Sequence, residues 1–288
     1  MGRVAYVNGR YGPLREARVA VEDRGYQFAD GVYEVIKVLD RRPRDLARHL
    51  DRLERSLAAL EIAPPVSRAA LLQILSETLR RNALVSALLY IQISRGTAAR
   101  NHVFPKRARP SLVVTVRRPS FPGPAERERG VEVISLPDLR WGRCDIKSIS
   151  LLPNVLARQR AAAAGCREAW LIDHAGKVAE GSASNAYIVD RAGRLVTHPL
   201  CERILGGVTR SVILELARGD GIETVEQPFS LEEACAAAEA ALSSTSSWLL
   251  PVVAIDGRPV GDGAPGPVVR RLMALYTARL AASESREA

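Results

Sequence analysis

The chain has 288 residues, is 47% hydrophobic and 25% charged, and carries a formal net charge of 41 − 32 = +9. Length and balance describe a globular protein of about two domains with a sizeable core. Aromatics are only 5%, and arginines interleave with acids, as in Arg52-Leu53-Glu54-Arg55. The positive charge therefore reads as salt-bridged helix faces, and a nucleic-acid-binding stripe is disfavoured. No apolar run is long enough to cross a bilayer, and no signal-peptide h-region or myristoylation pattern follows Met1-Gly2. The cysteines Cys144, Cys166, Cys201 and Cys235 have neither Cys-x-x-Cys spacing nor metal-ligand spacing with the histidines, so reduced thiols in a cytoplasm, with no metal, are expected.

Val4 to Val7 followed by Asn8-Gly9 predicts a strand and hairpin turn, and Arg18–Val21 a second short strand. Residues 23–31 read as a loop with two glycines, leading into a strand over Val32–Leu39. On that strand Tyr33, Val35 and Lys37 share a face. Leu46, Leu50, Leu53, Leu57 and Leu60 repeat at helical spacing, with His49 and Arg52 off the stripe and one turn apart. Ser67 is positioned to cap a helix to about Arg81. Strands follow at Leu88–Ile93 and Leu112–Val116, joined by a polar loop that holds Arg100 and His102.

Pro119-Ser120-Phe121-Pro122-Gly123-Pro124 reads as a linker. It divides a smaller N-terminal α/β domain (1–118) from a larger C-terminal one (125–288), with the linker at 119–124. The second half opens on a strand at Val131–Ile134. A helix from Val155 to about Ala164 is closed by Gly165, and strands are expected at 168–173, 177–180 and 185–189. Gly206-Gly207-Val208-Thr209 enters a helix over 210–218, where free amides and the helix dipole can hold an anion. The hydroxyl cluster after Leu242, with Ser244 and Thr245, is a second possible phosphate cradle. A hairpin at 253–260 and a helix over 267–281 complete the chain.

Among 41 basic residues only Lys37, Lys106, Lys147 and Lys177 are lysines. An amine can lose its proton and attack a carbonyl; a guanidinium cannot. Lys147 lies in Arg143-Cys144-Asp145-Ile146-Lys147-Ser148-Ile149-Ser150, where isoleucines and small hydroxyl residues could desolvate it and lower its pKa. The alternative is a strand-end lysine pointing into water. A desolvated amine, a carboxylate among small residues (Glu180), two possible phosphate cradles and an Arg/His pair on a loop are together the parts of a pyridoxal phosphate site.

These segments resemble the class IV aminotransferases of the fold-type IV pyridoxal phosphate enzymes, most closely the D-amino acid branch. The resemblance rests on Asp23-Arg24-Gly25-Tyr26-Gln27-Phe28-Ala29-Asp30-Gly31-Val32-Tyr33-Glu34-Val35, on residues 95–102, on Arg143–Ser148 and on Glu180-Gly181-Ser182-Ala183-Ser184-Asn185. It implies an α/β (α+β) fold of two domains with the active site at their interface, and pyridoxal 5′-phosphate as cofactor. Lys147 would be the imine-forming lysine and proton shuttle, Glu180 the partner of the pyridine nitrogen, and Arg52 the phosphate-binding arginine. Val208, Thr209 and Thr245 would complete the phosphate cup, with Ser244 a weaker member, and Leu205 would support the ring. Tyr33, Val35, Arg100 and His102 would form the substrate side, the last two reaching across a homodimer. The implied reaction moves an amino group from a D-amino acid to a 2-oxo acid. Branched-chain L-aminotransferase and aminodeoxychorismate lyase are alternatives within the fold, and a basic nucleic-acid binder is a distant one.

Overall fold

Asn8 and Gly9, both at positive φ (46° and 95°), turn the chain between β1 (Val4–Val7) and β2 (Arg10–Pro13). This is the two-residue turn that suits the twist of a hairpin. The computed structural model describes residues 3–282, so Met1-Gly2 and any signal there lie outside the described residues. The chain forms two units, one of Met1–Ser120 with Ile146–Ser150, the other of Phe121–Asp145 with Leu151–Ala288.

In unit 1, α1 (Arg24–Phe28) leads into β3 (Gly31–Leu39), β4 (Arg42–Pro43), α2 (Leu46–Ala59), α3 (Arg68–Asn82), β5 (Ala87–Ser94) and β6 (Ser111–Arg117). The strands form one six-stranded sheet in the order β2-β1-β6-β5-β3-β4, antiparallel throughout. Val32, Ile36 and Val38 on one face of β3 pack into a core with Leu50, Leu53 and Leu57 of α2. The other face carries Tyr33 and Val35, with Gln92 and Tyr90 opposite them on β5.

Two expectations for this region change. Residues 23–31 are not all loop: the Asp23 carboxylate accepts from the Gly25 amide and caps the short helix α1, which Ala29 closes in the left-handed region. Arg18–Val21 forms no strand. Val19 and Val21 are exposed, and the Arg18 guanidinium donates to the carbonyls of Arg15 and Ala17. Ser67 caps α3 through the Ala70 amide, as its position predicted.

Unit 2 contains α4 (Pro124–Arg129), β7 (Val131–Pro137), α5 (Leu152–Ala163), β8 (Glu168–Ile172), β9 (Val178–Gly181), β10 (Asn185–Val189) and β11 (Leu195–Thr197). It continues through α6 (Val208–Gly219), β12 (Thr224–Glu226), α7 (Leu231–Cys235), β13 (Glu239–Ser244), β14 (Trp248–Ile255), β15 (Arg258–Pro259) and α8 (Pro267–Ala282). A nine-stranded mixed sheet runs β12-β11-β10-β13-β14-β7-β8-β9, with β15 on β14. Its core joins Val131, Trp170, Ile188, Leu242, Leu250 and Phe229. α5 starts at Leu152, ahead of its expected start, with Pro153 in the first turn, where no N–H is required. α6 likewise begins at Val208.

A cut at 119–124 treats 125–288 as continuous, but Ile146–Ser150 belongs to unit 1. Ile146 joins that unit's core, Ser148 bridges Val32, and the Ile149 amide donates to the Gly31 carbonyl at 3.1 Å. Gly31 is hemmed in by its strand neighbour β5 as well as by Ile149, whose Cδ1 would lie 3.1 Å from a Cβ there. A Cβ there would come within 2.6 Å of the Ile93 carbonyl oxygen.

Candidate active site

The segment holding Lys147 is tied down by its backbone. The Lys147 amide donates to Ser56 Oγ at 3.1 Å, and its carbonyl accepts from the Tyr33 amide at 3.0 Å. The Ser148 amide turns back onto the Ile146 carbonyl at 2.7 Å, a three-residue turn centred on the lysine. The half-buried side chain then carries Nζ to 4.1 Å from the centroid of the Tyr33 ring. Tyr33 stacks on Tyr90 at 5.8 Å, and the Tyr90 hydroxyl donates to Gln92 Oε1 at 2.7 Å. Burial pushes the Tyr90 phenol up to about 12. Val35, on the same face as Tyr33, pairs with Tyr90 across the ladder.

Beneath this face lies a feature that sequence reasoning missed. Glu34 is fully buried on the apolar side of β3. Arg52 grips it with two bonds, Nε to Oε2 at 3.0 Å and Nη2 to Oε1 at 2.7 Å. His49 Nδ1 lies 3.0 Å from the same Oε1, and the Val35 amide donates to it at 2.9 Å. Burial by itself would raise the Glu34 pKa. The charge of Arg52 and the bonds from His49 and Arg52 outweigh it and hold the carboxyl far below the usual range. Burial lowers the His49 pKa, against the pull of the bond and charge of Glu34. Arg52 thus leaves the solvated face on which Glu54 and Arg55 remain. A signal existed: a glutamate on the stripe Val32, Ile36, Val38, ahead of a histidine and an arginine one turn apart.

Arg100 and His102 converge. The Arg100 guanidinium carbon sits 4.6 Å from the Phe28 ring centroid, and the His102 ring lies 5.3 Å from the same ring.

Unit 2 gathers a different set. Glu180, buried on β9, accepts from Arg140 Nη1 on Oε1, and from Asn185 Nδ2 (2.9 Å) and the Leu205 amide (3.1 Å) on Oε2. Burial pushes the Glu180 carboxyl up to about 7 against the pull of Arg140 and Leu205, and Asp138 adds to the rise. Asp138 also takes Arg140 through Nη2 at 2.8 Å. Asn185 Nδ2 donates in addition to the Leu205 carbonyl at 2.9 Å, so Leu205 is held on both sides of its residue. Arg140 and Asn185 were not singled out from sequence, because their function depends on partners 40 and 5 residues away that fold onto them.

Gly207 precedes α6 and has no side chain to cap it. A Cβ there would lie 2.0 Å from Asn185 Oδ1, so this site requires glycine. The first-turn amides, including those of Val208 and Thr209, lack partners within the helix. Both side chains are buried. Ser244 is engaged differently from Thr209. Its Oγ accepts from the Ser247 amide at 2.9 Å and pins the turn that contains half-buried Thr245. Among the described residues no cluster of three or more His, Cys, Asp or Glu could hold a metal ion, and no helix is long and apolar enough to cross a membrane.

The sequence model of Amino-transferase class IV matches residues 31–255. The chain belongs to the class IV aminotransferases. Among curated relatives, "D-alanine aminotransferase" of Staphylococcus haemolyticus is 38% identical over 269 residues, covering 93% of this chain and 94% of that protein. "D-alanine aminotransferase" of Bacillus licheniformis is 38% identical over 268 residues, covering 92% and 93%. Among solved structures, the Escherichia coli branched-chain amino acid aminotransferase superposes with a TM-score of 0.89 at 25% identity, covering 96% of this chain and 94% of the other. The T.th. branched-chain amino acid aminotransferase, solved with pyridoxamine 5′-phosphate, gives a TM-score of 0.87 at 26% identity, covering 96% and 93%.

Class IV aminotransferases are pyridoxal 5′-phosphate enzymes, and the residues present fit that group. The uncapped start of α6 with a buried threonine suits a phosphate. Buried Glu180 suits a protonated ring nitrogen, and the half-buried Lys147 amine suits an aldehyde.

Proposed function

We propose that this aminotransferase moves the amino group of a D-amino acid, such as D-alanine, to a 2-oxo acid, such as 2-oxoglutarate, by a ping-pong exchange. Pyridoxal 5′-phosphate, when bound, supplies the carbonyl that receives the amino group and a ring that takes up charge from the substrate α-carbon. Lys147 would attach the cofactor, and its freed amine would carry the proton between the substrate α-carbon and the cofactor C4′, in one direction for the donor and in the other for the acceptor. Glu180 holds a proton at the ring nitrogen. Arg52, Val208, Thr209 and Thr245, with Ser244 in a lesser part, hold the phosphate, and Leu205 supports the ring. Arg100 and His102, with Tyr33 and Val35, receive the substrate. An arginine binds a carboxylate through two parallel bonds and so fixes its orientation. With carboxylate, amine and α-hydrogen all placed, the side chain is accepted or refused by handedness.

The observation that carries the D-amino acid reading is the Arg100–His102 pair gathered on the Phe28 ring. The D-alanine aminotransferase relatives, at 38% identity across nearly the whole chain, support it. The likeness to branched-chain enzymes, at 25% identity, supports the alternative less. We further propose a homodimer in which the loop of each copy that holds Arg100 and His102 serves the other's site, and a reducing cytoplasm as the setting. Unpaired cysteines accord with the latter. The deciding experiment is the visible spectrum of the loaded enzyme with D-alanine, and with L-leucine in parallel. Loss of the yellow band with D-alanine alone is expected. Loss with L-leucine alone would move the assignment to the branched-chain enzymes.

A further inference from the structure

Arg24 and Asp30 lie in the segment that leads into β3, and the chemistry above gives them no part. Both belong to a charged cluster that reaches the loop holding Arg100 and His102. Asp30 Oδ2 accepts from Arg24 Nε at 2.7 Å and from Arg95 Nε at 2.8 Å, so one carboxylate oxygen is clasped by two guanidinium groups. Each arginine then extends onto another part of the chain. Arg24 Nη1 donates to the Asn101 carbonyl at 2.5 Å, with longer contacts to the carbonyls of His102 (3.4 Å, from Nη2) and Val103 (3.5 Å). Arg95 donates to the carbonyls of Leu60 (2.6 Å) and Glu61 (2.9 Å), and its guanidinium carbon sits 3.5 Å from the Phe104 ring centroid.

The side chains of Arg24 and Asp30 are nearly buried, at 4% and 10% exposure, so these bonds are weakly screened. The Arg24 guanidinium lies 4.8 Å from the Phe28 ring on which Arg100 and His102 gather. The loop is also closed at its base. Gly96, at φ +96°, sits so close to Arg109 that a Cβ would meet its carbonyl oxygen at 1.9 Å, and the Arg24 amide donates to the Gly96 carbonyl at 2.9 Å.

We propose that Asp30, clasped by Arg24 and Arg95, sets the position of the Arg100–His102 pair, so that Arg24 is a positioning residue for the substrate α-carboxylate. The inference rests on the reading of that pair as the carboxylate site. Arg24 touches the backbone of the loop and acts on substrate only through it. Its planar fork reaches a carboxylate and several carbonyls at once, which a lysine ammonium cannot do.

The test follows the loaded enzyme through its single-turnover spectral change with D-alanine in Arg24→Met, Arg24→Lys, Arg100→Met and the double variant. Arg24→Met is expected to raise the half-saturating D-alanine concentration about 10–100-fold, with the maximal rate within about 3-fold of the parent, the pattern of lost ground-state binding. The same factor should appear in the inhibition constant of propanoate. Arg24→Lys should recover little, and the double variant should bind D-alanine no worse than Arg100→Met within about 2-fold, because the two residues act as one unit. If Arg24→Met binds D-alanine and propanoate as the parent does while Arg100→Met does not, the clasp is overturned and the carboxylate reading stands. If Arg100→Met itself binds normally, the carboxylate reading fails. Should Arg24→Met not fold, Arg95→Gln opens the other arm of the clasp, and unchanged binding there overturns the inference equally.

Discussion

Two buried glutamates, each facing an arginine, end in opposite electrostatic states. Glu34 in unit 1 has both oxygens on the fork of Arg52, with His49 and the Val35 amide added, and its acidity is strongly enhanced. Glu180 in unit 2 meets Arg140 through a single oxygen, and Arg140 is shared with Asp138. Burial wins there, and the carboxyl rises to about 7. An arginine at hydrogen-bond distance does not by itself settle a carboxylate's charge. Bidentate pairing on both oxygens can outweigh desolvation, whereas a one-oxygen contact from an arginine shared with a second acid does not. Glu34 is built as a permanent anion that locks α2 to β3. Glu180 titrates near 7, so a cation placed beside it would draw it into the charged form, as the proposed role at the ring nitrogen requires.

The largest test of the contrast is Glu34→Gln. It removes the counter-charge of a buried arginine and should cost about 3–5 kcal/mol of stability, read by denaturant unfolding of unit 1. A loss below about 1 kcal/mol would mean that Glu34 does not hold α2 in place. Next is Glu180→Gln. Activity should fall about 100-fold or more while stability changes little, since a neutral side chain already suits that site. Equal loss of stability at the two sites would erase the distinction.

The pH dependence comes third, and its sign differs between the two. The folded pKa of Glu34 is depressed, so its contribution is present above about pH 4.5, its unfolded value, and is lost as pH falls. The folded pKa of Glu180 is raised from 4.5 to about 7, so its contribution is full below pH 4.5 and is lost as pH rises toward 7. Urea titrations from pH 4 to 8 should therefore give Glu180→Gln a flatter profile than the parent between pH 4.5 and 7. An unchanged slope would show that Glu180 is already ionised across that range. The smallest effect belongs to Ser244→Ala. It removes one hydroxyl acceptor from the Ser247 amide and should cost about 1 kcal/mol, measured as a small shift in unfolding midpoint. If instead cofactor affinity falls more than about 10-fold, equivalent to 1.4 kcal/mol, Ser244 contributes to the phosphate cup directly.

Much of the site was legible because its parts are local. Lys147 is one of only four lysines among 41 basic residues, and the glycines before α6 leave backbone amides free to hold an anion. The α2 stripe and the Ser67 cap follow from residue spacing. What could not be read was partner choice. His49 and Arg52 turn inward to a carboxylate 15 and 18 residues earlier, and the one sign of it, a glutamate on an otherwise apolar stripe, does not name its partners. The short helix α1 was hidden by two glycines, although its Asp23 cap was present in the sequence.

By itself, then, the sequence determined the long helices, most of the strands and the resemblance to the family, because helical periodicity, capping and backbone freedom act over a few residues, whereas the short helices α1, α4 and α7 were not read from it. Only the tertiary structure decided which arginine meets which acid. It set Arg52 on both oxygens of Glu34, divided Arg140 between Glu180 and Asp138, and clasped Asp30 between Arg24 and Arg95. The physical reason is that a charge's state depends on burial and on the number of donors around it, and both are products of chain segments distant in sequence.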